Sequence, residues 1–453
     1  MKKGLLIALG LLLVGIIIIG GNIFAPIGTG YSAKIMCSCV FVAGRTQASV
    51  EAQDLSAYWY VSNTVDTETR EVSSRLGFWE RTAVFREGLG CTLLSGRERD
   101  DLGSASLRLP RTRSLKAEIL QEPVDSLREA LIVDQNKLDQ AIDYAFREAA
   151  DPEASQKNTR AVLVLKDSLI LAERYGEGFD AQSPLLGWSM TKSVTQTQIG
   201  MLVLDGQLAL YEPAPVPEWK SENDPRADIT LDQLLRMSSG LDFEEVYFPP
   251  ADATTMLFEE ASAADYAVQS ELAYPPDSVW YYSSGTSNLL ARIVRQGVGD
   301  DEAYLRFVHE RLFQPLQMSS AIMEPDASGT YVGSSFMYAT ARDWAKYGLL
   351  YLRDGVWRGQ RLLPEGWVDY TRTPTPKSYL GCYGAQFWLN AGNEEGRVFP
   401  ALPNDLYYPS GFEGQHVFII PSRRMVIVRL GFTPDPSAFD IETFVGGILE
   451  TVE

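Results

Sequence analysis

"TRAVLVLKDSLILAERYG", residues 159–176, reads as two strands folded about Lys166, Asp167 and Ser168. β-Branched and leucine residues crowd both halves, and the polar trio between them supplies the turn. A second stretch of this kind, "HVFIIPSRRMVIVRLGF" at 416–432, lies near the other end of the chain. Each hairpin has a helical neighbour further out. "LDQAIDYAFREAA" sets Leu138, Ile142, Ala145 and Phe146 on one helical face, and "ETFVGGILETV" closes the chain as a helix. Between the hairpins helical signals dominate to about residue 370, separated by loops rich in proline and glycine, and no internal repeat is visible. The pattern predicts an α+β fold: an antiparallel sheet assembled from both chain ends, with a helical region inserted.

The 453 residues are 45% hydrophobic, 22% charged and 11% aromatic, an ordinary globular balance. A net charge of −19 excludes the basic surface that nucleic acid calls for, and disfavours adhesion to anionic lipid. It leaves room for a hydrophobic anchor. After Lys2 and Lys3 the chain runs uncharged from Gly4 to Ala25, about the length of a membrane-crossing helix. This predicts a signal-anchor at residues 1–25 with the remainder exported; a cleaved signal peptide is the alternative. Residues 26–130 then form an N-terminal extension, with short β-like runs such as "CVFVAG" and "RTAVFREGLGCTLL" and a polar linker over 96–130. The main domain starts at 131. Four cysteines, Cys37, Cys39, Cys91 and Cys382, allow one bridge in an exported chain, from Cys37 or Cys39 to Cys91. With His309 and His416 the only histidines, neither near a metal-binding spacing, no cofactor or metal is expected.

Past the first hairpin, "GWSMTKSVTQTQIGMLVL" reads as one apolar helix holding the chain's only Ser-x-x-Lys, Ser189 to Lys192. Residues three apart share a helical face, so the pair can meet. A serine hydroxyl needs a base, and burial among Trp188, Met190 and the following apolar run would lower the lysine toward neutrality. The plainer reading has Lys192 reaching out to water. A Ser-His-Asp site fails for want of a suitably placed histidine; His416 reads as a strand or rim residue. Further on, Tyr282-Ser283-Ser284 leads into a helix, and a tyrosine near a lysine ammonium can exchange protons, the positive charge favouring the phenolate. "SGFEGQHVFIIP" then offers a glycine-rich strand entry whose backbone N–H groups could approach a ligand.

Ser-x-x-Lys, Tyr-Ser-Ser and Ser-Gly-Phe-x-Gly, in this order, resemble the serine β-lactamase-related hydrolases: class C β-lactamases, D-alanyl-D-alanine peptidases, family VIII esterases and 6-aminohexanoate-dimer hydrolases. "ITLDQLLRMSSGLDF", "FQPLQMSSA" and "YATARDWAKYGLLYLRDG" look like the family's other landmarks, so the resemblance covers about 133–453. "CSCVFVAGR" and "GLGCTLL" look like an extension seen in some exported members. The resemblance implies a β-lactamase/transpeptidase-like fold and hydrolysis of small amides or esters through an acyl-enzyme. It makes Ser189 the nucleophile, Lys192 its proton partner and Tyr282 the second acid/base. Backbone N–H groups of Ser189 and Phe412 become the oxyanion hole, with Gly411, Gly414, Gln415, Ser284 and Trp188 around the substrate.

The departures carry weight too. Pro409-Ser410-Gly411 stands where penicillin-recognising members have Lys-Thr-Gly, removing the cation that would hold a substrate carboxylate. Ser284 stands where many have an asparagine that grips an acylamino group. Glu413 or Asp242 could meet a cationic substrate end, though a solvated surface acid is the simpler reading of each. A β-lactamase, a D,D-peptidase and a catalytically silent binding member are the rival readings.

Overall fold

The computed structural model describes residues 2–102, 107, 131–151 and 154–452, with side chains from residue 21 onward. The N-terminal part is built round one helix, Lys2–Phe41. From Ala25 to Cys39 nearly every side chain on it is buried. One side of the helix is wrapped by an antiparallel meander, β1 (Ser62–Asp66), β2 (Glu71–Leu76), β3 (Trp79–Arg86) and β4 (Gly90–Leu93). The other side lies against the main domain. A helix that is apolar all round needs such double cover.

That cover explains a departure from the sequence reading. "CVFVAG" is not a strand: Cys39, Val40 and Phe41 end the helix, and Val42 and Ala43 form the turn after it. Local β-propensity yields there to the continuation of a helix whose preceding turns are buried. "RTAVFREGLGCTLL" does fold as a hairpin, β3 to β4, with Arg86 opposite Gly90. Most of the linker reading at 96–130 lies outside the described residues. So do the side chains of most of the Gly4–Ala25 run; among the described residues no helix is long and apolar enough to cross a membrane.

Cys37 pairs with Cys91, fastening the helix to β4, while Cys39 and Cys382 are free and buried. The bridge closes a separation of 54 residues. Cys37→Ser with Cys91→Ser should therefore lower unfolding free energy by about 4 kcal/mol, the chain entropy regained by a loop of that size, read from urea denaturation without reductant.

The main sheet runs in the order β12 (Trp388–Leu389), β13 (Tyr407–Tyr408), β15 (Gln415–Ile420), β16 (Met425–Gly431), β5 (Thr159–Lys166) and β6 (Leu169–Tyr175); β14 (Ser410–Gly411) pairs with β15. The two hairpins meet directly, Met425 opposite Lys166 and Val428 opposite Leu163. Both faces of β5 are covered: Val162 and Val164 pack under the helices Gln135–Phe146 and Ile441–Leu449, while Ala161, Leu163 and Leu165 join the central core. Two-sided burial is why the strand is an unbroken apolar run. A small second sheet, β7 (Leu185–Leu186), β9 (Met337–Ala339) and β8 (Ile322–Met323), flanks the Ser189 loop, and β10 (Val356–Trp357) pairs with β11 (Gln360–Arg361). Helices between the hairpins, Met190–Leu204 and Ser284–Val298 chief among them, complete the α+β fold.

The extension is bound to this domain by buried charge. Lys34 forms an ion pair with Glu324, their side chains 3% and 0% exposed, and donates to the Cys91 carbonyl at 2.6 Å. Glu324 also accepts from the Cys91 N–H at 2.6 Å and from the Ser38 hydroxyl at 2.9 Å. Asp54 receives both arms of Arg160, at 2.9 and 2.8 Å. Burial pushes the Asp54 carboxyl up, but Arg160 and Arg45 outweigh it and hold the group below its ordinary range.

Candidate active site

Ser189 sits where the chain turns into the Met190–Leu204 helix. Trp188 before it has a left-handed φ of 46°, which aims the serine at the cleft and its own indole down into the core. Lys192, one turn on, is 1% exposed. The reading in which it reaches water therefore fails. Its Nζ is 3.0 Å from Ser189 Oγ, 2.9 Å from Ser284 Oγ and 3.1 Å from the Ser334 carbonyl, and lies 4.8 Å from the Tyr282 ring centre. Three acceptors match the three donors of an ammonium. Burial lowers its pKa to about 8, with Glu245 opposing. As the free amine it keeps two donors and turns a lone pair toward Ser189.

Tyr282 stands beside the Ser189 side chain and packs edge-on to Tyr383. Here the structure differs from the expectation of a phenolate favoured by the lysine charge. Burial, then the Glu245 carboxylate, raises Tyr282 above its ordinary value, so the resting group is a phenol. Ser284 links lysine and carboxylate: it accepts from Lys192 and donates to Glu245 Oε1 at 2.6 Å, while its N–H donates to Oε2 at 2.6 Å. Tyr247 donates its hydroxyl to Glu245 as well, at 2.6 Å. Sequence reasoning missed Glu245. The start of a helix at Ser284 signals a place for an anion, but nothing in the chain separates Glu245 from Glu244 beside it.

The glycine-rich entry closes the opposite side. Gly411 in β14 approaches the residue ahead of the Trp188-Ser189 turn so closely that a Cβ there would stand 2.1 Å from the Gly187 carbonyl. Phe412 follows, its ring 5.9 Å from Trp188 and 5.3 Å from Tyr247. Gly414 and Gln415 act from behind. A Cβ on Gly414 would lie 2.3 Å from Arg429, and the Gln415 amide donates to the carbonyls of Phe412, Glu413 and Gly431 at 3.1, 3.2 and 2.7 Å. Gln415, 2% exposed, thus holds the loop rather than facing a substrate, which corrects the expectation. Arg429, also missed, is fully buried and ties that loop to Thr159, Lys157 and Thr433.

Of the two acids singled out, Asp242 is exposed and Glu413 is not a solvated surface acid. Glu413 is half-buried beside the Trp188 indole, and burial, with Asp54 adding to it, lifts its pKa to about 8. His416 is a neutral strand residue stacked on Phe418, lowered to about 3 by burial. Tyr31, contributed by the extension helix, stacks on Trp188 at 6.3 Å and on Tyr58 at 4.7 Å. The extension thus lies directly behind the residue that presents Ser189.

Comparison with known proteins agrees with this geometry. The 6-aminohexanoate-dimer hydrolase of Paenarthrobacter ureafaciens is 28% identical over 315 residues, 64% of this chain and 77% of its own. Two solved structures share the fold. A penicillin-binding protein homologue from Caulobacter crescentus has a TM-score of 0.52 at 16% identity, covering 70% of this chain and 97% of its own. EstCE1, a hydrolase with promiscuous acyltransferase activity, has a TM-score of 0.52 at 14% identity, covering 69% and 97%. Residues 147–443 match the Beta-lactamase family, a span that contains Ser189, Lys192, Tyr282, Ser284 and Ser334. The chain belongs to the beta-lactamase family and is a serine hydrolase.

Proposed function

We propose that the protein hydrolyses small amides or esters through an acyl group carried on Ser189. Neutral Lys192 takes the proton as Ser189 Oγ attacks the carbonyl carbon. The backbone N–H groups of Ser189 and Phe412 hold the oxygen that becomes negative. Tyr282, a phenol beside Ser189, passes a proton to the leaving amine or alcohol and draws its replacement from Lys192. Water then attacks the ester on Ser189 with the same groups working in reverse. The observation that carries this reading is a fully buried lysine, titrating near 8, at 3.0 Å from the serine oxygen.

It predicts a pH profile. Acylation by a neutral ester reagent needs the free amine, so its rate should rise about tenfold per pH unit below 8 and level off above. Glu413 titrates in the same range, so the profile is repeated with Glu413→Gln. An unchanged break assigns it to Lys192; a break that disappears assigns it to Glu413 and removes the proposed base.

The substrate reading favours acyl groups without a carboxylate to be gripped. Pro409 stands where a lysine would hold one, and no such charge-assisted bond is available from this position. A chromogenic cephalosporin should therefore turn over roughly a hundredfold more slowly than a short-chain ester. Comparable rates would favour a β-lactamase or D,D-peptidase. We further propose that the Gly4–Ala25 run is a signal-anchor that holds the hydrolase on the far side of a membrane. The two lysines before an uncharged stretch of spanning length support this.

A further inference from the structure

The helix Lys2–Phe41 becomes buried at Ala25, and around that point aromatic rings stand out into solvent. Phe24 is on the helix itself, its ring 6.2 Å from that of Phe248. Phe78, at the tip of the β2–β3 hairpin, stacks at 3.8 Å on Trp79, whose indole donates to Asn22 on the helix at 2.9 Å. One turn beyond, Gly28 faces Tyr58, and the next residue, Trp59, projects outward. Trp59, Phe248 and Phe78 are 84%, 76% and 71% exposed. Single exposed apolar residues are commonplace. Three large rings from three separate segments, gathered about one helix where it leaves the domain, are an apolar face in need of cover.

What lies next along the chain says what covers it. Gly4–Phe24 is an uncharged run of about 20 residues, which as a helix rises roughly 30 Å, the depth of a bilayer's hydrocarbon. Aromatic rings at the end of such a run occupy the headgroup layer. With a net charge of −19, attraction to anionic headgroups contributes nothing here, so the rings themselves must provide the hold.

The same face borders the cleft. Glu245, bonded to Ser284, is followed within three residues by Phe248. Between them Tyr247 reaches back to Glu245 and packs on Phe412. The rim formed by Val246, Tyr247 and Phe412 is itself 42–43% exposed. Resting on the proposed signal-anchor, we infer that the domain lies with Trp59, Phe78 and Phe248 seated in the lipid surface. The cleft then opens at that surface, and its substrate is an amphiphilic ester or amide whose apolar chain stays in lipid.

The test uses the full chain reconstituted in phosphatidylcholine vesicles, a fraction of whose acyl chains are brominated close to the carbonyl. Flotation with the vesicles reports the anchor. Quenching of tryptophan emission reports the face: the wild type should be dimmed more than Trp59→Phe. In parallel, Trp59→Ser with Phe78→Ser should leave turnover of a water-soluble short-chain ester unchanged. It should lower turnover of a long-chain ester carried in the same vesicles about tenfold, as expected when such rings leave an apolar phase. A chain that does not float overturns the anchor, and this inference with it. A chain that floats but is dimmed equally with and without Trp59, or whose double variant handles both esters like the wild type, overturns this inference alone.

Discussion

Lys192→Ala should abolish covalent labelling of Ser189 while leaving the protein folded. The lysine is the only nitrogen base within hydrogen-bonding distance of Ser189 Oγ among the described residues, and burial has already brought it near neutrality. Removing the general base from a serine nucleophile costs on the order of 10⁴-fold or more in acylation. The fold should not suffer, because a buried ammonium is expensive and Ser284 retains Glu245 as partner. Labelling rate and thermal melting separate the two effects: the rate collapses and the midpoint holds or rises. Lys192→Arg, which cannot give up its charge, should be as inactive as the alanine variant. A Lys192→Ala protein that labels at the wild-type rate would mean another group accepts the serine proton.

The second large effect lies far along the chain, at Glu324, but adjoins the site. Glu324→Gln leaves Lys34 charged and buried without a counter-ion, a loss of about 3–5 kcal/mol in urea unfolding. Lys34→Met in the same background should recover much of this, because the glutamine oxygen can still accept from the Cys91 N–H and no bare charge remains. Additive losses would show that the pair is not coupled. The damage should reach catalysis. Glu324 donates its N–H to the Phe336 carbonyl at 2.8 Å, Phe336 packs on Trp188, and Gly187 bonds to Met337 at 2.8 Å. The strands that receive the extension are thus those that set the Ser189 turn. Acylation by Glu324→Gln should fall while the double variant regains part of it.

The extension packs against the catalytic scaffold, its helix lying between its own meander and the hydrolase domain. Tyr31 supports Trp188, Asp54 neutralises Arg160 beside the Gly431 strand end, and the Cys37–Cys91 bridge holds β4 where its backbone meets Glu324.

The elements whose burial is two-sided or strictly periodic were legible from the chain alone. Val162 to Leu165 and Val426 to Leu430 admit little but interior strands, and the Ser189–Lys192 spacing puts both side chains on one helical face. What escaped depends on contacts between distant segments. "CVFVAG" has the composition of a strand, yet Cys39 to Phe41 finish a helix whose earlier turns are buried. Glu245 matters because the Ser284 helix begins beside it, 39 positions on. Arg429 reads as a strand's ordinary polar residue and Gln415 as a substrate contact, yet the hydrogen bonds of both fix the turn that carries Phe412. The tyrosine was identified but its charge state was not, since burial and a carboxylate unseen in sequence outweigh the lysine.

The most direct test of the central claim is the intact mass of the protein after exposure to a fluorophosphonate, beside Ser189→Ala. A single adduct on the wild type, located to Ser189 and absent from the variant, is the result expected of a serine activated by Lys192. An unmodified wild type, folded by circular dichroism, would contradict it.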